Sequence, residues 1–176
     1  MKNDILEQAL QLSEEILSNI ELNQISLSNI VLKTSRLARL LDDFENQKIF
    51  QYEASGYPTT PNGINPEIFS LLQKAKRTYL KKDKKDKVEE YAHWKSIEQY
   101  ENELLSAKES IAVSKDADVS ISSSNPYQNV YAPMGNTLER KSLRDLISDN
   151  SELIASRKSY IYDYVLEKNY ELKYSK

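Results

Sequence analysis

Apolar residues along this chain recur mostly at helical steps. Between residues 3 and 21, Ile5, Ala9, Leu12, Ile16 and Ile20 fall three or four apart and share one face, with Leu6, Leu10 and Leu17 widening the stripe. Asn3 or Asp4 can cap its start. After the connection "ELNQIS", Ser26 suits an N-cap, and Leu27, Ile30, Val31, Thr34, Leu37, Ala38, Leu41 and Phe44 form a seam held over several turns. The pattern predicts one helix that can continue through Phe50 and Tyr52 to Ala54, with Asp42, Asp43 and Glu45 marking its solvent side. It ends in "EASGYP": Gly56 suits the position after a helix where φ is positive, and Pro58 follows as a stop.

Beyond the loop "PTTPNGINP", Asn65 and Pro66 read as N-cap and first residue of another helix running to about residue 76, with Ile68, Leu71, Leu72 and Ala75 on its face. Residues 77–94, "RTYLKKDKKDKVEEYAHW", fit either an extension of that helix or a hairpin. The hairpin is preferred, because Thr78 and Tyr79 suit strands and nothing apolar lies between Leu80 and Val88 to anchor a helix. Ser96 then caps a helix over about 97–113, with Ile97, Tyr100, Leu104 and Ile111 as its seam. Residues 114–135 carry no period and read as a loop rich in Ser, Asn and Pro. A last helix starts near Asn136 or Thr137 and runs to about Tyr174; it either breaks near "SDNS" (148–151) or reaches past the body toward a partner. The fold class is mainly α: a helical bundle in a single domain, 1–176, with a long C-terminal helix and one short β-hairpin at about 77–92.

Composition narrows the chemistry. With no cysteine, disulfides, thiolate nucleophiles and zinc–sulfur sites are excluded. The charged N-terminus is not a signal peptide, and no apolar run is long enough to span a membrane, so a cytoplasmic location without membrane contact is expected. Only three glycines are present, so neither a P-loop nor a dinucleotide fingerprint can be written. No His, Asp or Glu grouping has metal-ligand spacing, and neither metal nor cofactor is expected. Asp116 and Asp118 fit either a weak cation contact or, the preferred reading, loop residues making local turns. His93 is the sole histidine, and a helical ribonuclease of the HEPN type needs Arg four to six residues before its His. Lys87, Val88 and Glu89 stand there instead, leaving His93 as a half-buried structural residue beside Trp94. Adjacent carboxylates such as Glu14/Glu15 and Asp42/Asp43 diverge around a helix and read as solvated faces.

Charge is uneven although the net value is only −3: residues 66–96 carry nine basic and five acidic side chains, between two acidic flanks. Arg77, Lys81, Lys82, Lys84, Lys85 and Lys87, with Tyr79, Tyr91 and Trp94 among them, are the candidate nucleic-acid contacts. Two aspartates interrupt the run, and lysines are also a common way to keep a hairpin soluble, so nucleic acid is not the favoured partner. Twelve tyrosines concentrate late, with Tyr160/Tyr164 and Tyr170/Tyr174 at helical i, i+4 spacing; they read either as core or as a protein interface.

The segment "SLSNIVLKTSRLARLLDDFENQKIFQYEASGYP" resembles the AbiTii domain family, whose members share an "R-L-A-R-L-L" helix, an acidic patch, an aromatic residue and then "E-x-x-G-Y-P". The corresponding positions include Arg36, Arg39, Asp42, Tyr52, Glu53, Gly56, Tyr57 and Pro58, and the C-terminal "RKSYIYDYVLEKNYELKYS" is similar to the helix that closes such domains. The resemblance implies a part in bacterial abortive-infection (anti-phage) defence, and in many proteins an N-terminal module joined to a further domain. It supplies no catalytic residue. The leading expectation is a non-catalytic module that binds a protein partner or itself; the alternative is a toxin acting on nucleic acid through the basic 77–95 region.

Overall fold

The computed structural model describes residues 2–83, 86–118 and 134–174, which form six helices and one hairpin. The chain divides into two compact units, one of residues 1–98 with 156–176 and the other of residues 99–155.

In the larger unit, helix α1 (Lys2–Glu21) packs on α2 (Leu27–Leu40), and α2 on α3 (Phe44–Ser55). Ala9, Ile16 and Ile20 of the first stripe and Ile30, Val31, Leu37 and Ala38 of the second are all buried, whereas Ile5 is exposed. The seam from Leu27 to Ala54 is two helices, not one. Asp42 takes a left-handed φ of 55°, and the Asp43 carboxylate accepts from the Asn46 backbone N–H at 3.2 Å, capping α3. This N-cap satisfies a donor that a continuous helix would have bonded to a carbonyl. The reset turns Phe44 out of the seam, and it is 66 % exposed.

Helix α4 (Pro66–Lys74) starts where Asn65 accepts from the Glu67 N–H at 2.9 Å and stops two residues before the predicted end. Lys76, at φ 54°, bends the chain into β1 (Thr78–Lys82), which pairs antiparallel with β2 (Val88–Ala92). The hairpin reading of 77–92 therefore holds over the helical one. Ile49, Tyr57, Leu72 and Ala75 form a core cluster beneath it, flanked by Tyr52, Ile68, Ala92 and Tyr160.

Helix α5 (Ile97–Asp118) runs five residues past its predicted end, so residues 114–118 are helical instead of loop. The rest of the predicted 114–135 loop lies outside the described residues up to α6 (Met134–Tyr174). Helix α6 has no break at 148–151. Within the smaller unit, Asn150 is buried and its amide donates to Glu103 of α5 at 3.3 Å, giving the "SDNS" stretch a partner inside a helix. In the larger unit the C-terminal part of α6 lies along α1: Asn169 donates to Ser13 at 2.9 Å, Tyr162 to Glu21 at 3.0 Å, and Lys173 pairs with Glu14 at 3.0 Å.

Candidate functional site

The "EASGYP" stretch explains itself in three dimensions. Glu53 follows Ile49 and Phe50 on the inward face of α3, so its carboxylate enters the core. Gly56 turns the chain at φ 89°, a conformation open to glycine, and returns Tyr57 over the last turn of α3. There the Tyr57 hydroxyl donates to Glu53 Oε1 at 3.0 Å, its backbone N–H donates to the Trp94 carbonyl at 2.8 Å, and its ring packs 5.3 Å from that of Tyr52.

Two arginines complete the cluster. Arg77 grips Glu53 with both prongs, Nε to Oε1 at 2.7 Å and Nη2 to Oε2 at 2.6 Å. The geometry is the paired N–H···O fork for which a guanidinium is built. Its Nη1 donates to the carbonyls of His93 at 2.8 Å and Lys95 at 2.7 Å. Arg157 of α6 stands 3.7 Å from Glu53 and donates to the carbonyls of Ala75 at 2.5 Å and Lys76 at 2.9 Å. One carboxylate thus lies between two guanidiniums, and all three side chains are buried. Burial pulls the Arg157 guanidinium down from its ordinary value while Glu53 holds it up. Burial, followed by the Glu53 charge, pushes the Tyr57 hydroxyl well up, and the same two causes push Tyr160 up to about 12.

Mechanically the cluster is a root. It ties the end of α3, both legs of the hairpin and α6 to one carboxylate. Chemically it is closed: the donors go to Glu53, to backbone carbonyls and to the Ser156 hydroxyl, except that Arg157 Nε has no hydrogen-bond partner among the described residues. Among the described residues no three His, Asp or Glu side chains converge as they would around a metal ion.

The other candidate residues fall elsewhere. Arg77, grouped by sequence with the basic run, is fully buried on Glu53 and cannot reach a phosphate from there. Lys81, Lys82 and Lys87 are exposed on the hairpin, while Lys84 and Lys85 lie outside the described residues. His93 is half-buried, its ring stacked on Tyr79 at 4.5 Å. Arg36, Arg39, Asp42 and Pro58 are exposed, so only the buried part of the "EASGYP" motif belongs to the root. The late tyrosines split. Tyr160 and Tyr164 pack inward against Phe50, at 6.0 and 4.9 Å, and Tyr164 donates to Asp43 at 3.1 Å. Tyr170 and Tyr174 stack on each other at 6.0 Å and are 54 % and 76 % exposed.

Sequence reasoning missed Arg157 entirely. The available signal was Glu53 itself: an acid in phase with Ile49 and Phe50 must find a cation once buried. Nothing in one-dimensional spacing says which of the chain's many cations it will be.

The fold and root define a mainly helical protein whose hairpin is pinned to the helices by a buried charge cluster. The AbiTii family model matches residues 11–176, nearly the whole chain, and the protein belongs to that family. Comparison with curated proteins and with solved structures gives no match. Among the described residues no helix is long and apolar enough to cross a membrane.

Proposed function

We propose that this protein is a non-catalytic interaction module of a bacterial abortive-infection, anti-phage defence system, binding a partner protein or a second copy of itself. The defence role rests on membership of the AbiTii family. The interaction role rests on the fate of the charged groups. Glu53, Arg77 and Arg157 are committed to one another and to the hairpin legs, and the last turns of α6 carry Tyr170 and Tyr174 outward. Exposed tyrosines on a helix that also bears Glu167, Glu171 and Lys173 are the kind of surface that associates while remaining soluble.

The test is phage challenge of cells expressing the chain, alone and with its genomic neighbours, together with light scattering of the purified protein. Protection is expected, along with an oligomer or a complex that Tyr170→Ser/Tyr174→Ser weakens without lowering the melting temperature. A strict monomer that binds none of the neighbouring gene products would contradict the proposal.

A further inference from the structure

The hairpin carries a row of rings that the root does not use. The register sets Tyr79 opposite Tyr91 and Lys81 opposite Glu89, and the His93 N–H donates to the Arg77 carbonyl at 2.9 Å. Residues two apart on a strand share a face, so Arg77, Tyr79 and Lys81 lie on the same side as His93, Tyr91 and Glu89. This face grades from the buried root, through three rings, to exposed lysine. Tyr91 and Tyr79 stack at 5.9 Å with 24° between their planes, and Tyr79 and His93 at 4.5 Å with 29°. Beside β2 opens a cavity of about 630 Å³ whose wall includes Trp94, Phe69, Pro61 and Glu90 as well as the two tyrosines. Tyr79, Tyr91 and Trp94 are each 41 % exposed.

We infer that the hairpin is a stacking platform for single-stranded nucleic acid, with bases against Tyr79, Tyr91 and Trp94 and phosphates held by Lys81 and Lys87. Charge complementarity selects this occupant. Leaving out Arg77, whose charge Glu53 already meets, basic side chains between residues 78 and 95 outnumber acidic ones six to four. Of these acids, Glu89 accepts from the Tyr91 hydroxyl at 3.3 Å and Glu90 from the Gln73 amide at 3.0 Å, while Asp83 and Asp86 are exposed. Lys81 forms no ion pair among the described residues, and Lys87 stands 3.7 Å from Glu89. A single strand offers base faces to the rings, whereas a duplex hides them. An apolar peptide could use the rings but would leave the lysines idle. The platform is separate from the exposed end of α6, so it and the interaction reading stand or fall on different measurements.

Trp94 is the only tryptophan, so its fluorescence reports on this surface in the unsubstituted protein. Labelled strands of about 12 nucleotides, DNA and RNA separately, would be titrated at about 50 mM salt, with the matching duplex as control. Expected are quenching of Trp94, tighter binding of the strand than of the duplex, and at least about tenfold weaker binding by Tyr79→Ala/Tyr91→Ala. Tyr79→Phe/Tyr91→Phe should retain binding, because the rings remain, and Lys81→Glu/Lys87→Glu should flatten the salt dependence. Circular dichroism and melting confirm that each variant is folded. Three results would overturn the inference: no binding by either strand, equal binding by the alanine variant, or preference for the duplex. A protein partner lost on alanine substitution while nucleic acid stays unbound would overturn it too.

Discussion

The two ends of the hairpin's ring-bearing face are built from similar side chains and meet opposite fates. At the root, Arg77 is fully buried and donates to Glu53 and to two backbone carbonyls. Two residues further along the strand Tyr79 is exposed, and two further still so is Lys81. Residue type does not decide between these fates. What decides is whether a complementary group lies within reach on another element: Glu53 of α3 and the β2 carbonyls do so for Arg77. The root therefore fixes where the arm leaves the body, and the outer face is left to meet whatever binds it.

The sharpest way to break this contrast is Glu53→Gln. It keeps the shape but removes the only carboxylate between two buried guanidiniums, leaving charge uncompensated in the core. Removing one partner of a buried pair costs about 3–5 kcal/mol, to be read as a lower midpoint in urea or heat. A loss no larger than that of an ordinary surface substitution would show that the cluster is not what anchors the hairpin. Replacing the trio by apolar residues of similar volume is a different experiment and need not destabilise, because the desolvation cost disappears with the charges.

The next effect is alkaline. Tyr57, Tyr160 and Tyr164 all have hydroxyls raised by burial and by nearby carboxylates, Tyr160 to about 12. A tyrosine raised above its unfolded value of about 10 keeps its proton in the folded state after the unfolded chain has lost it. The stabilisation is thus complete below pH about 10 and is lost as the pH rises through the folded values. Stability measured from pH 9 to 12 should fall, with little slope from these groups between pH 7 and 9. Tyr57→Phe should make the fall shallower. It also removes the hydroxyl bonded to Glu53, at a cost of about 1–3 kcal/mol at neutral pH. An unchanged alkaline slope would mean that Tyr57 is not held protonated by the root.

Much of this architecture is written in local pattern. The α1 and α2 stripes, the Asn65–Pro66 start of α4 and the turn at Gly56 all follow from period and capping chemistry. The break at Asp42–Asp43 went unread, because an apolar seam runs across it and the acids fit the solvent side of one long helix. The "SDNS" stretch misleads in the opposite way: its poor local propensity is outweighed by the Asn150–Glu103 contact, which no local reading contains. The root shows the same limit more strongly. Its carboxylate was visible as part of the "EASGYP" motif, whereas its partners come from residues 77 and 157, far along the chain. Long-range pairing of charges has no period, so only the fold reveals it.

The smallest predicted effect completes the comparison. Tyr79→Ala/Tyr91→Ala deletes two stacked rings from the arm, but both are substantially exposed and neither touches Glu53 or Arg157. Exposed substitutions away from caps and buried networks usually change stability little. The melting temperature of this variant should therefore lie close to that of the unsubstituted protein, with a loss several-fold smaller than for Glu53→Gln. Hydrogen exchange should agree: amides of Arg77 and His93 at the root stay protected, while those nearer the turn exchange faster. Should the double alanine variant unfold as readily as Glu53→Gln, the rings would be part of the core and not a surface for recognition. The stacking platform would then lose its physical basis, because a ring needed to hold the fold together cannot also be given over to a base.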